Sequence, residues 1–271
     1  TSYFQKHLRA HQKAIDYLKS RGISGEIAKK FRIGYAPDFW DKLYKTFLAK
    51  YKVDDLLNAG LIVKRESSGC YDRFRDRIMF PIHDFQGRVI AFGGRILNTG
   101  EPKYLNSPET ALFQKSKEIY GLYEARKASP ALDSIWVVEG YMDVVALVQA
   151  GITHAVATLG TAVTTNHIQR LFRVVQEITF CFDGDNAGRQ AAWRALEVSL
   201  PLLQDGHQVR FVILPEGEDP DTYVRSIGRE QFLAISAQTM PEFFFNHLLK
   251  NVDLNLPEER EKKKKKGSDY I

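Results

Sequence analysis

From residue 134 onward, apolar strand-like runs alternate with helical runs of about 10–15 residues, the pattern of a parallel sheet with right-handed crossovers. No other feature constrains the fold as strongly. SIWVVEG, HAVATLG, EITFCFDGD and HQVRFVILPEGEDPD read as four strands with their exit loops. YMDVVALVQAG, TTNHIQRLFRVV and NAGRQAAWRALEVSLPLL read as the helices between them, with Thr164 or Thr165 capping the second. Three of the four strands run into acids. The first leads to Glu139, the third to Asp183-Gly184-Asp185, and the fourth to Glu216, Glu218, Asp219 and Asp221. Functional groups of open parallel sheets gather outside the carboxyl ends of the strands. Neighbouring strands would therefore crowd these carboxylates together, where they repel and raise one another's pKa. A hard divalent cation with oxygen ligands, such as magnesium, relieves that repulsion.

Each acid alone has an ordinary explanation. Asp185 suits the N-cap of the helix beginning at Asn186, and Asp219-Pro220-Asp221 suits a turn. Their recurrence at one sheet edge, with glycines beside two of them, favours a metal site. Competing chemistries lack their signatures. The first strand ends in EGYMDV rather than a glycine-rich dinucleotide loop, and neither a P-loop nor a G-x-S-x-G elbow occurs.

The preceding half has a different character. Residues 1–130 carry 24 Lys/Arg against 14 Asp/Glu, whereas residues 131–257 carry 8 against 15. A basic half joined to an acidic half suits a protein that grips a polyanion with one part and cations with the other. Helices are expected over 4–19 with Gly22 as C-cap, from a Ser24 cap through Phe31, over Pro37–Ala49 with Trp40 on its apolar side, and over Val53–Asn58. LIVKR, RIMFPIHD and RVIAFGGRIL then predict a small, largely antiparallel sheet flanked by Arg73, Arg75, Arg77, Arg88 and Arg95. Arg75 and Arg77, two apart on an expected strand, would share a face. A short helix over 121–127 follows the loop EPKYLNSPET, and 128–130 is the candidate boundary.

The expected organisation is a basic α+β part over 1–127, the parallel-sheet part over 128–225, the start of a helical part over 226–257, and an unstructured tail or cloning remnant over 258–271. No apolar stretch approaches the roughly 18 residues of a membrane span. The amino terminus has no signal-peptide core. Cys70 and Cys181, 111 positions apart, read as free thiols of a cytoplasmic chain and make no zinc site. His7 and His11, four apart, read as a solvated helix face.

VVEGYMDV, CFDGDNAG and EGEDPDTYV together resemble the Toprim signature, one Glu after a first strand and D-x-D after a later one. YDRFRDRIMFPIHDFQGRVIAFGGR, PKYLNSPET and IYGLYEA narrow the resemblance to the catalytic core of bacterial DnaG-type primases, over about residues 1–250. That resemblance implies template-directed synthesis of short RNA primers on single-stranded DNA from ribonucleoside triphosphates by two-metal nucleotidyl transfer, with Mg2+ as cofactor and Mn2+ able to substitute. It implies that Glu139, Asp183 and Asp185 are catalytic and metal-binding, supported by Asp143, Asp219 and Asp221. Glu139 fits either a ligand or a general acid–base role. Arg75, Arg77, Arg95, Lys103, Tyr104, Asn106 and Lys115 match the surface for template and nucleotide.

Full-length family members add an amino-terminal zinc module and a carboxy-terminal helicase-binding module, so the chain reads as an isolated, monomeric core. Replicative helicase and single-strand-binding protein are the partners expected of the full-length member, at replication forks on the nucleoid. The alternatives are a Toprim-type nuclease, in which water replaces the 3′-hydroxyl, and a non-catalytic nucleic-acid-binding module whose acids hold a structural ion.

Overall fold

The computed structural model describes residues 1–249 apart from 67 and 130. The expected 258–271 tail, and the helical part beyond 249, lie outside the described residues. The chain opens with α1 (Ser2–Arg9), α2 (Gln12–Ser20), α3 (Gly25–Lys30), β1 (Gly34–Ala36), α4 (Lys42–Leu48) and α5 (Val53–Asn58). A hairpin of β2 (Ile62–Lys64) and β3 (Cys70–Asp72) leads to β4 (Arg77–His83), β5 (Val89–Ile96) and β6 (Tyr104–Asn106). The order β1-β4-β5-β6 forms one antiparallel sheet, separate from the hairpin.

The second half contains β7 (Ile119–Tyr120), which pairs with β9 although it lies in the part expected over 1–127, then α6 (Leu122–Ala128), β8 (Ser134–Val138), α7 (Tyr141–Gln149), β9 (Ala155–Thr158), α8 (Thr165–Phe172) and β10 (Glu177–Phe182). It continues through α9 (Asn186–Ser199), β11 (Gln208–Ile213), α10 (Pro220–Leu233), β12 (Gln238–Thr239) and α11 (Met240–Leu249). Its sheet order is β12-β11-β10-β8-β9-β7. The inner four strands are parallel and the short outer two antiparallel, an α/β fold as the strand–helix alternation requires.

Period-2 alternation in the parallel strands builds two cores. Ile135, Val137, Ile178, Phe180, Phe182, Val209 and Phe211 face α8, α9 and α11. Trp136, Val138, Cys181 and Val212 face the other way, onto α7 and the basic half. Helix α7 buries Tyr141, Met142 and every residue from Val144 to Val148, because it is packed between the parallel sheet and β4. A helix apolar on all sides requires such a sandwich. Tyr35, Ile78, Phe80 and Ile82 of the antiparallel sheet belong to the same core as α7, so the two halves share one interior.

Tyr141 is the pin of that junction. Its ring stacks on Phe80 at 5.5 Å, and its hydroxyl donates to Asn106 Oδ1. A Cβ on Gly93 would sit 2.4 Å from the same ring, so the first glycine of FGGR is there to admit a tyrosine from the other half.

Several local expectations need correction. The helix expected over 4–19 breaks at Ala10-His11, where His11 is extended. Leu8, Ala14 and Leu18 still share one core while Phe4 serves another, and the break leaves His7 on the first helix and His11 at the cap of the second, so the two share no helix face. The helix expected over 37–49 starts only at Lys42, after Pro37 and the exposed Trp40. The helical part expected from 226 onward is interrupted by Gly228 at φ 80° and by β12, which pairs with Arg210–Phe211. Gly22 and Ser24 act as expected, Gly22 at φ 71° after α2 and Ser24 Oγ accepting from Ile27 N at 3.2 Å.

Replacing Gly93 with Ala should destabilise the protein by about 1–3 kcal/mol, the usual range for overpacking. Chemical denaturation checks this, and an unchanged midpoint would show that the Tyr141 ring is free to move.

Candidate active site and nucleic-acid surface

The three acid-ended strands β8, β10 and β11 are neighbours, with β10 central, so their exit loops meet at one mouth. Asp183 and Asp185 leave β10, and Glu139 leaves β8. Asp143 stands in the first turn of α7, and Asp219 begins α10. The β10 and β11 loops are pressed together. Gly184 N donates to Glu218 O at 3.2 Å, and a Cβ on Gly184 would lie 1.8 Å from Pro215 O, so D-G-D tolerates only glycine at its centre.

The electrostatics follow from this crowding. Loss of hydration, then repulsion from Asp183 and Asp185, pushes Glu139 up to about 7 although one side of it stays open to solvent. Burial, then repulsion from Asp183 and Asp219, raises Asp143 to about 7 against the opposing hydrogen bond from Gly140 N. Asp183, between them, rises to about 6 through burial and the charges of Asp219 and Asp185.

Among the described residues no three His, Cys, Asp or Glu side chains converge closely enough to wrap a metal ion as they stand. Part of the reason is local. Asp185 accepts from Gly188 N at 2.7 Å and Asp219 from Thr222 N at 2.7 Å, each capping a helix. The donor set nevertheless fits a magnesium-like ion, which takes one or two carboxylates directly and keeps several waters. Mutually repelling hard-oxygen donors, with Glu139, Asp143 and Asp183 raised in proton affinity, form a site that a divalent cation stabilises.

Asp221 is placed differently from the other expected ligands. It is 3% exposed, and its two oxygens meet Arg21 Nη1 and Arg225 Nε, each at 2.9 Å. It reads as a strut between α2 and α10 that contributes negative potential to Asp143.

Facing the acids is a cationic and aromatic wall from the basic half. The Arg95 guanidinium lies 4.7 Å over Tyr17 and 6.0 Å from Tyr104, and Arg21 Nε donates to the Tyr17 hydroxyl at 3.2 Å. Tyr104 is pushed up to about 12, first by burial and then by Asp143, with Arg95 opposing. Lys103 is exposed beside it. Lys115 is half-buried in the segment before β7.

Three expected contact residues sit otherwise than their spacing suggests. Arg75 and Arg77 do not share a strand face, because β4 begins only at Arg77. Arg77 is buried and donates to the Gly94 and Lys103 carbonyls across the sheet. Asn106 has both side-chain amide atoms engaged, accepting from Tyr141 and donating to Leu159 O at 2.9 Å.

Arg75 instead stacks 4.4 Å from Trp40, whose ring is 5.0 Å from Tyr71, with Arg65 a further 5.0 Å contact. Trp40 is 51% exposed. An exposed indole flanked by two guanidinium groups has the chemistry of a platform for stacked bases. The sequence pattern places Trp40 on an apolar helix side and singles out neither Tyr17 nor Arg21, whose partners lie far along the chain.

Residues 3–126 match the family described as the DNA primase catalytic core, N-terminal domain, and residues 133–213 match the Toprim domain. A DNA primase domain from Pseudomonas aeruginosa superposes with a TM-score of 0.90 at 55% identity, covering 93% of this chain and 81% of that one. The chain belongs to the DnaG primase family. The primase catalytic core of Escherichia coli gives a TM-score of 0.90 at 49% identity, over 96% of this chain and 85% of that one. A DnaG primase catalytic domain bound to single-stranded DNA gives 0.90 at 49% identity, over 97% of this chain and 86% of that one. Among curated relatives, the DNA primase of P. aeruginosa is 55% identical over 259 residues, and that of E. coli K12 is 52% identical over 250. The chain spans 39% and 43% of their lengths. Toprim primases generally use a divalent metal.

The raised carboxylates set a pH dependence for the metal-free protein. Asp143, Glu139 and Asp183 have folded pKa values of about 6–7, above the unfolded values near 4. The folded state therefore holds extra protons across that window, and its stability falls as pH rises through it. In chelator the thermal midpoint of Asp143→Asn should gain on that of the parent between pH 5 and 8. A constant difference across that range would show that Asp143 does not carry the charge strain.

Proposed function

We propose that this chain is the polymerising core of a primase, joining ribonucleotides on a single-stranded DNA template. The observation that carries the reading is that the Arg95–Tyr104–Tyr17–Arg21 cluster lies beside the acidic mouth of the parallel sheet, close enough for Tyr104 to register the Asp143 charge and for Arg21 to pair with Asp221. An anionic triphosphate belongs between a cationic wall and a cation-binding mouth, and neither half alone supplies both.

In the proposed reaction a primer 3′-hydroxyl attacks the α-phosphate of the incoming nucleoside triphosphate and pyrophosphate leaves. Magnesium, with manganese able to replace it, would be held by Glu139, Asp183 and Asp185 with Asp143 and Asp219 behind them. When bound it supplies charge neutralisation at the attacking and leaving oxygens. Arg95, Lys103 and Lys115 face the triphosphate, and Tyr104 offers a ring to the base. Glu139 is the acid best placed to exchange a proton near neutral pH. Trp40, Tyr71 and Arg75 form the template platform. Asp221, Arg77 and Asn106 hold the architecture. The chain acts in the cytoplasm as a monomeric core, and helicase and single-strand-binding protein are partners of full-length family members. No helix among the described residues is long and apolar enough to cross a membrane.

The test is de novo RNA synthesis on single-stranded DNA with labelled ribonucleotides and Mg2+ or Mn2+. Asp183→Ala should lose synthesis by on the order of 100-fold or more while keeping or raising its thermal midpoint, because a repelling charge is removed. Cleavage of the input strand without new RNA would replace the reading with a nuclease.

Template binding is separable from chemistry. Trp40→Ala should cost about 1–3 kcal/mol of affinity for single-stranded DNA at every salt concentration. Arg75→Ala should reduce the slope of log K against log salt by about 0.7. An unchanged slope by fluorescence anisotropy would take Arg75 off the template path.

A further inference from the structure

Of the four parallel strands only β9 ends without an acid, running into Leu159-Gly160. Its exit loop and α8 instead grip the segment that carries Lys115. His167, 1% exposed, places Nε2 at 2.9 Å from Lys115 O and accepts from Thr164 N through Nδ1 at 3.2 Å. A backbone N–H only donates and a carbonyl only accepts, so the ring is neutral with its proton on Nε2. Burial, with Arg170 nearby, disfavours a second proton. Two further ties reinforce the grip: Thr164 Oγ1 donates to Ser116 O at 2.6 Å, and Arg170 pairs with Glu118. On its other side Lys115 N donates to Glu109 Oε1 at 3.1 Å. The backbone of residue 115 is thus fixed at both its N–H and its carbonyl, while its side chain is only half-buried.

We propose that His167 is a positioning residue that holds the Lys115 backbone so that the lysine meets the incoming triphosphate. This rests on reading Lys115 as a nucleotide contact. A long flexible side chain contributes more when its base is already fixed, because less freedom is lost on binding. The device explains why a buried histidine joins the Toprim half to a segment of the basic half, at the one parallel strand that brings no carboxylate to the mouth.

Histidine also closes the capping box of α8, accepting from Thr164 N while Thr164 Oγ1 accepts from His167 N. Two substitutions separate the roles. His167→Asn keeps an acceptor near the Nδ1 position and falls short of the Lys115 carbonyl. His167→Gln keeps a donor near Nε2 and gives up the cap.

The experiment is steady-state primer synthesis as a function of ribonucleoside triphosphate concentration, with thermal midpoints measured alongside and Lys115→Ala as the reference. His167→Asn should raise KM for the triphosphate roughly three- to tenfold with kcat within about twofold. His167→Gln should keep KM near the parent's while its midpoint falls. If Lys115→Ala raises KM and His167→Asn does not, the positioning role fails alone. If Lys115→Ala leaves KM unmoved, the nucleotide reading of Lys115 fails and the positioning role with it.

Discussion

Mutual repulsion among carboxylates held at one edge of a parallel sheet is the constraint on which the site depends. Asp183 is its centre, since Glu139 and Asp143 each register its charge and it in turn registers those of Asp219 and Asp185. Folding forces these groups together because β8, β10 and β11 are hydrogen-bonded neighbours whose faces toward α8, α9 and α11 are apolar. The core energy of the sheet offsets the electrostatic cost at its mouth. Each large apolar side chain fully buried contributes about 1.5–3 kcal/mol, and Phe180, Phe182 and Phe211 stack in one layer beneath the acids. A cation at the mouth then converts repulsion into attraction.

The acids could be read from the chain because two simple periodicities locate them. An apolar run of strand length followed by Glu-Gly or Asp-Gly-Asp, and then by a helical period, places those side chains outside a strand's carboxyl end. The glycines carry the same message, since Gly184 is demanded by a backbone 1.8 Å from where its Cβ would be. What could not be read are relations that exist only after chain folding. Nothing local distinguishes Arg21, bound to Asp221 two hundred positions away, from any basic residue at a helix end. Arg77 and Asn106 look like freely ligand-facing polar groups, yet Arg77 Nη1 donates to two carbonyls across the sheet and the Asn106 amide is tied to Tyr141 and Leu159. Trp40 looks like core until the late start of α4 leaves it in solvent.

The two halves are better regarded as one machine than as a binding module beside a catalytic one. Tyr141 belongs to the helix that follows the first acid, and it is seated in the antiparallel sheet against Gly93 and Asn106. Asn106 reaches on to the β9 exit loop, and Arg21 reaches across to α10. Wall and mouth therefore keep their relative placement through several short polar links over a shared apolar interior.

The parallel sheet is bounded on each side by a strand of only two residues, Ile119–Tyr120 and Gln238–Thr239, both from outside the strand–helix alternation. These stubs occupy the backbone donors and acceptors that β9 and β11 would otherwise present to any passing extended chain. A parallel-sheet part excised without them would expose two adhesive borders and associate with itself. The limits of an autonomous folding piece are therefore set by the two short flanking segments that keep the sheet from polymerising, and they lie outside the four strands that carry or frame the chemistry.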